Sequence, residues 1–217
     1  MINFLLRFQY NKFINPSLNK CMAMETKTTD AHLVREYLAG KDRAFEKLFK
    51  RYERPLFSFI FRFVGDRQSA EDMFQQTWMK VIKGLPNYEE RGSFSSWLFG
   101  IANNCCVDRA RKETRARVDD LTSSEGMDRL PDENSGVEEL LVKQEKLSWL
   151  EKAIEKLPRE QKQVVLMRLH GELPFKEIAR VVNCPLNTVL GRMHYAVQNL
   201  QKMVKKEYGG ELQNVLS

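Results

Sequence analysis

With 217 residues, 42% of them apolar, the chain has room for one large domain or two small ones. Its 35 lysines and arginines outnumber 29 acids, and the formal charge of +6 suits a polyanionic partner. No run of about eighteen apolar residues occurs, so no transmembrane helix is expected. Cys21, Cys105, Cys106 and Cys184 make no CxxC, and the three histidines lie far apart. Neither a structural zinc site nor a disulfide framework is expected, no cofactor is implied, and the thiols read as reduced cytosolic ones.

The charge is unevenly spread. Arg109–Arg117 carries five basic residues against one acid, Val118–Leu140 eight acids against Arg129, and Leu141–Glu207 thirteen basic residues against seven acids. Two basic blocks around an acidic tether fit two nucleic-acid-facing modules.

Met1–Ala23 holds Phe4, Leu5, Leu6, Phe8, Phe13 and Ile14, but Arg7 interrupts the apolar part. No small-residue cleavage site follows, so it makes a poor signal peptide. Met22 and Met24 precede a more ordinary polar start, and one of them, rather than Met1, is expected to be the native start codon. Residues 1–29 are therefore read as an extension that is disordered or not native.

From Asp30 the apolar spacing is helical. Leu33, Val34, Tyr37 and Leu38 make one face, closed by Gly40. Asp42 is expected to cap a second helix with Phe45, Leu48, Phe49 and Tyr52 inward. Pro55 is expected to start a third, with Leu56, Phe59, Ile60 and Phe63 in the core. Ser69, with Asp72 three residues on, approximates a capping box for a fourth. That helix buries Met73, Phe74, Thr77, Trp78, Val81 and Ile82, shows Glu71, Asp72, Gln75 and Gln76 on its other face, and stops at Gly84 and Pro86. No strand-like alternation competes, so this half reads as an all-helical bundle.

A polar loop, Asn87–Gly92, leads into a long helix from Ser93 with Phe94, Trp97, Leu98, Ile101, Ala102, Cys105 and Cys106 along one side. Aromatics beside a basic helix can stack unpaired bases while arginine and lysine hold phosphates. The alternative is that Phe94, Trp97 and Phe99 are core, which is the expected place for Trp97. Arg109, Arg111, Lys112, Arg115 and Arg117 exceed what the helix dipole needs.

The carboxy-terminal third divides into three helical patterns. Arg159–His170 carries Val164, Val165, Leu166 and Leu169 and stops at Gly171. Pro174–Val182 opens on proline and buries Phe175, Ile178, Ala179 and Val182. Asn183-Cys184-Pro185 breaks the chain. From Leu186, apolar residues recur at Val189, Met193, Ala196, Leu200 and Val204. Two short helices, a tight turn and a longer helix with a polar outer face read as a helix-turn-helix, with a plain helical hairpin as the alternative.

Two stretches carry a family resemblance. AEDMFQQTWMKVIKGLPNYEERGSFSSWLFGIANNCCVDRARK resembles the second conserved region of bacterial sigma factors of the extracytoplasmic-function group, within the sigma-70 family. LPREQKQVVLMRLHGELPFKEIARVVNCPLNTVLGRM resembles their fourth. With the helices before Gly65 the likeness covers roughly residues 30–207, and no third-region domain separates the two. The implied fold is all-α, in two small helical domains. A promoter-melting bundle occupies 30–117, an acidic flexible linker 118–138, a helix-turn-helix domain 139–208 and a tail 209–217.

The resemblance implies a cytoplasmic initiation factor that binds core RNA polymerase, reads promoter DNA and has an anti-sigma partner, often at the membrane. Asp72, Gln75, Gln76 and Trp78 match the polymerase-binding face. Tyr88, Glu89, Arg91, Ser93 and Asn104 match the loop and pocket that take a flipped base of the minus-ten element. Arg109, Arg111, Lys112 and Arg115 would hold the adjacent backbone. In the helix-turn-helix, Lys176, Asn187, Thr188, Arg192, His194, Tyr195 and Gln198 are the candidate readers, with Lys202, Lys205 and Lys206 on phosphates. Leu190, Tyr195 and Val197 depart from the family, whose members often carry basic residues there.

No nucleophile–base set, glycine-rich phosphate loop, metal-ligand spacing or small-molecule site appears, so an enzyme is not expected. Two alternatives stay open: a repressor or activator that uses the helix-turn-helix without polymerase, and a nucleic-acid-modifying enzyme with Cys105 or Cys106 as nucleophile.

Overall fold

In a computed structural model the described residues are 28–89, 92–119 and 150–207. Their secondary structure is all helical: α1 Asp30–Leu38, α2 Asp42–Val64, α3 Arg67–Gly84, a 3-10 turn Leu85–Asn87, α4 Phe94–Asp119, a helical stretch at 150–155, α5 Arg159–His170, α6 Phe175–Val181 and α7 Leu186–Glu207. The start-codon question, Arg91, the linker and the tail fall outside the described residues.

The first helices form one bundle. Thr29 caps α1 by accepting from the His32 N–H at 3.3 Å. Arg51 and Tyr52 both donate to Asp30, which pins α1 to the middle of α2. Burial and the hydrogen bond to Asp30 push the Tyr52 phenol well above its ordinary range. Leu33, Val34, Leu48, Leu56, Phe59 and Ile60 close the centre together with Val81, Leu85, Leu98 and Phe99.

Several expectations need correction. Pro55 does not open a helix; it lies inside the continuous α2. A proline there forfeits one intrahelical N–H, but Leu48, Leu56, Phe59, Ile60 and Phe63 continue a single buried stripe through it, and their burial outweighs the loss. Asp42 is the first helical residue of α2 and makes no cap; Lys41 holds the cap position. Ser69 does not cap α3. Asp66 does, accepting from the Ser69 N–H at 2.7 Å, while Ser69 itself is buried inside the first turn. Leu38 and Ile82 face solvent, at 48% and 43% exposure.

The second bundle follows the expected punctuation. α5 ends at Gly171, Pro174 precedes α6, and Asn183 takes a left-handed conformation (φ 49°) in the turn before α7. Arg168 lies over the Phe175 ring and donates to the carbonyls of Glu172 and Leu173, which fixes the turn between α5 and α6. Ile178, Val189, Met193, Ala196 and Leu200 fill the centre.

The two bundles pack against each other, α5 on α2 and α6 on α4. Their contact is partly polar. Gln163 donates to Asn103 at 2.7 Å in a buried position. Arg159 donates to the Val107 carbonyl at 3.0 Å and lies over the Phe63 ring. Arg62 pairs with Glu151.

Candidate nucleic-acid interface

The outer face of α3 is the first candidate surface. Glu71, Asp72, Gln75, Gln76, Met79 and Lys80 are exposed along it, at the three- and four-residue spacing of one helix side. Trp78 does not belong to this face. It lies on the opposite side with Met73, Thr77 and Val81, 5% exposed, against the rings of Phe45, Phe49 and Phe74. Met79, at 57% exposure, is the apolar residue that the polar face carries instead.

The loop between α3 and α4 is the second. Phe94 is buried, while Tyr88 and Trp97 are partly buried, with ring centroids 4.8 Å apart; Phe94 lies 5.8 Å from Tyr88. Gly84 makes room for this cluster, because a Cβ there would stand 2.9 Å from the Trp97 ring. Ser93 caps α4, its Oγ accepting from the Ser96 N–H at 3.2 Å. Glu89 and Ser93 are exposed. The described ends of the loop thus place exposed Glu89 and Ser93 beside an aromatic cluster of Tyr88, Phe94 and Trp97.

Along α4 the two neighbouring asparagines part company. Asn103 is buried against Gln163, whereas Asn104 is exposed. Beyond them Arg111, Lys112 and Arg115 face solvent and Arg109 is partly buried. Arg111 comes within 3.9 Å of Asp108, a loose pair that leaves the end of the helix basic. Nothing is described of the Arg117 side chain.

Cys105 and Cys106 are buried. Burial pushes the Cys106 thiol up to about 12, with the Cys105 neighbour adding to the shift. A thiol held protonated inside a core is a poor nucleophile, which weighs against Cys106 as the nucleophile of a cysteine enzyme.

On α7, Asn187, Thr188, Leu190, His194 and Tyr195 form the exposed stripe, and Lys176 is exposed on α6. Leu190 and Tyr195 expose 42% and 59% of their surface, so this face is more apolar than the sequence neighbours Asn187 and Thr188 suggest. Gln198 and His194 share a hydrogen bond at 2.9 Å. Arg192 is partly buried and turns its guanidinium toward the Cys184 sulfur, 3.8 Å away. It braces the turn before α7 in this form.

Glu177 and Arg180, which sequence patterns did not single out, join the loop to the second bundle. Ser93 Oγ donates to Glu177 Oε2 at 2.8 Å, across 84 residues of chain. A Cβ on Gly92 would stand 3.8 Å from Glu177 and 3.9 Å from Arg180. Periodicity carries no signal for such pairs, since each partner is an ordinary polar residue on its own helix.

These features define a helical, basic protein whose two packed bundles carry a helix-turn-helix and an aromatic-lined loop: a nucleic-acid-binding regulator. The family described as Sigma-70 region 2 matches residues 48–116, and Sigma-70, region 4 matches residues 147–200. The RNA polymerase sigma-H factor of Pseudomonas aeruginosa is 29% identical over 188 residues, covering 84% of this chain and 97% of that protein. The ECF RNA polymerase sigma-E factor of Escherichia coli is 28% identical over 190 residues, with coverages of 84% and 97%. The sigma factor RpoE of Bartonella quintana, solved in complex with the anti-sigma factor NepR, superposes with a TM-score of 0.62 at 22% identity, covering 74% of this chain and 96% of that one. The chain belongs to the sigma-70 family, as an RNA polymerase sigma factor of the extracytoplasmic-function group.

Proposed function

We propose that the chain acts in the cytoplasm, docks on core RNA polymerase through the exposed face of α3, and reads a promoter with both modules. Asp72, Gln75 and Gln76 meet the polymerase, with Met79 supplying apolar contact. Tyr88, Glu89, Ser93 and Asn104 take an unstacked base of the minus-ten element beside the Tyr88–Trp97 cluster. Unstacking costs a few kcal/mol, least at easily melted steps, so capture helps drive melting. Arg109, Arg111, Lys112 and Arg115 hold the backbone beside it. Lys176 and the stripe Asn187, Thr188, His194, Tyr195 and Gln198 face the upstream element, and Arg192 joins them once it leaves Cys184.

The observation that carries this reading is the shared presence, in one chain, of a polar exposed α3 face and a basic helix behind an aromatic-lined loop. A repressor needs only the helix-turn-helix. The acidic stretch expected from residue 118 begins after α4, which runs to Asp119, and serves as the tether between modules. The role is one of binding. By analogy with RpoE, which was solved with NepR, an anti-sigma protein is the expected regulator.

Run-off transcription with core polymerase and the gene's own upstream region tests the proposal. A discrete transcript that depends on the added chain supports it. Binding to that DNA with no transcript, and no co-purification with polymerase in the absence of DNA, returns the helix-turn-helix repressor.

A further inference from the structure

Gly191 lies inside α7, past its first turn, and nothing within the fold calls for it. Glycine is a poorer helix former than alanine. Other glycines have internal reasons: a Cβ at Gly84 would stand 2.9 Å from the Trp97 ring, and one at Gly171 would stand 2.9 Å from the Met167 carbonyl. A Cβ on Gly191 would meet nothing within 4 Å. Its direction is informative. Val189, Met193, Ala196 and Leu200 form the buried side of α7, and at about 100° per residue Gly191 points away from their middle, toward solvent. The spot without a side chain is thus the centre of the outward face. Leu190 and Tyr195, exposed by 42% and 59%, flank it.

A helix-turn-helix lays this helix in the major groove. Thymine presents a C5-methyl group there, which apolar groups recognise, whereas guanine is read by arginine or lysine. Between Leu186 and Gln201 the sole residue of that kind is Arg192, partly buried with its guanidinium at the Cys184 sulfur. Thirteen basic residues against seven acids over Leu141–Glu207 favour a polyanion as the occupant of this face. We infer that Gly191 opens a notch in the reading face of α7 that takes a thymine methyl group, with Leu190 and Tyr195 at its sides. The upstream element then carries an A·T pair at this point. This rests on the proposed reading of α7 and adds Gly191 and Leu190 to the residues that set its specificity. Asn187, one turn earlier on the same face, carries the amide that pairs with adenine. A side chain at 191 would hold the helix off the base edges; its absence lets the backbone approach.

The test is run-off transcription by holoenzyme, made from the full chain and core polymerase and kept below saturation, on the gene's own upstream region. Thymines in the duplex upstream of the melted segment are replaced one at a time by deoxyuridine, which deletes only the methyl group. One replacement should lower wild-type transcript about fourfold, the effect of leaving one methyl group unburied. Gly191→Leu should lower transcript from the unmodified template about tenfold, and the same deoxyuridine should then make no difference. The unfolding midpoint of this variant should stay level or rise, because leucine favours helix over glycine and its Cβ meets nothing. Wild-type transcript indifferent to every one of these methyl groups overturns the notch, whatever Gly191→Leu does. So does a loss in Gly191→Leu that leaves the methyl dependence intact, since the face would then meet something other than that thymine. The methyl scan needs no variant, so it decides even if Gly191→Leu folds poorly. No transcript from the unmodified template is a different failure: it overturns the sigma reading, and the notch falls with it.

Discussion

Gln163 Nε2 donates to Asn103 Oδ1 at 2.7 Å, with both side chains buried and 60 residues of sequence between them. Each amide is the other's partner across the junction of the two bundles, so removing one strands the other. Gln163→Leu or Asn103→Leu alone should destabilise the protein by about 1–3 kcal/mol, the cost of a buried unsatisfied polar group. The double leucine variant should lose less than the sum. A double-mutant cycle in urea checks this, and simple additivity would mean that the pair does not couple the bundles.

The start of α3 makes a second, smaller prediction. Asp66 accepts from the Ser69 N–H, so Asp66→Ala should cost about 1 kcal/mol, the usual worth of an N-cap. Asp66→Asn should keep most of it, as asparagine caps about as well. Thermal unfolding of the two variants separates them, and equal losses would point to the charge rather than the cap.

Helix ends set by local chemistry were legible in the sequence. Gly171, Pro174 and Asn183-Cys184-Pro185 punctuate the helix-turn-helix because turn and break propensities act within a few residues. Pro55 and Ser69 misled for the same reason: the local signal was real, but burial of Leu56, Phe59 and Ile60 carried α2 past one, and Asp66 offered an earlier cap than the other. The site was half visible. Asp72, Gln75 and Gln76 are exposed, as the helical spacing had them, whereas Trp78 turns inward. What periodicity cannot carry is a pair such as Ser93 and Glu177, which only tertiary folding brings together.

His170 gives a pH dependence. Burial, helped by the nearby Arg62 guanidinium, lowers it to about 3 from an ordinary 6.5. The unfolded chain therefore takes up a proton near pH 6.5 that the folded chain refuses until about pH 3. Stability from this group is intact above 6.5 and falls as the pH drops through that window, by at most about 1.4 kcal/mol per unit. Urea midpoints between pH 7 and 5 should decline in wild type and stay flatter in His170→Gln. An equal slope in both would assign the decline to other groups.

On the α3 face, Asp72→Ala with Gln75→Ala should weaken polymerase binding by roughly tenfold or more, since hydrogen bonds to a charged group contribute about 1.5–3 kcal/mol. Both side chains point to solvent, so helical content and unfolding midpoint should hardly move. Binding to immobilised core polymerase, read beside circular dichroism, decides. Unchanged affinity would mean that the docking face lies elsewhere.

Adjacent asparagines provide the sharpest contrast. Asn103 points into the junction and Asn104 points out, one helix position and about 100° apart. If Asn104 takes the flipped base, Asn104→Ala should leave the unfolding midpoint and closed-complex affinity near wild type. It should reduce permanganate reactivity of thymines in the melted region several-fold. Asn103→Ala should do the opposite in the free protein, lowering the midpoint while holoenzyme that does assemble still melts the promoter. The pair controls for itself, because the two substitutions delete the same amide one residue apart on the same helix. Permanganate footprints on matched holoenzyme concentrations are the measurement. Equal loss of closed-complex binding in Asn104→Ala would show that this side chain shapes the domain rather than holding a base.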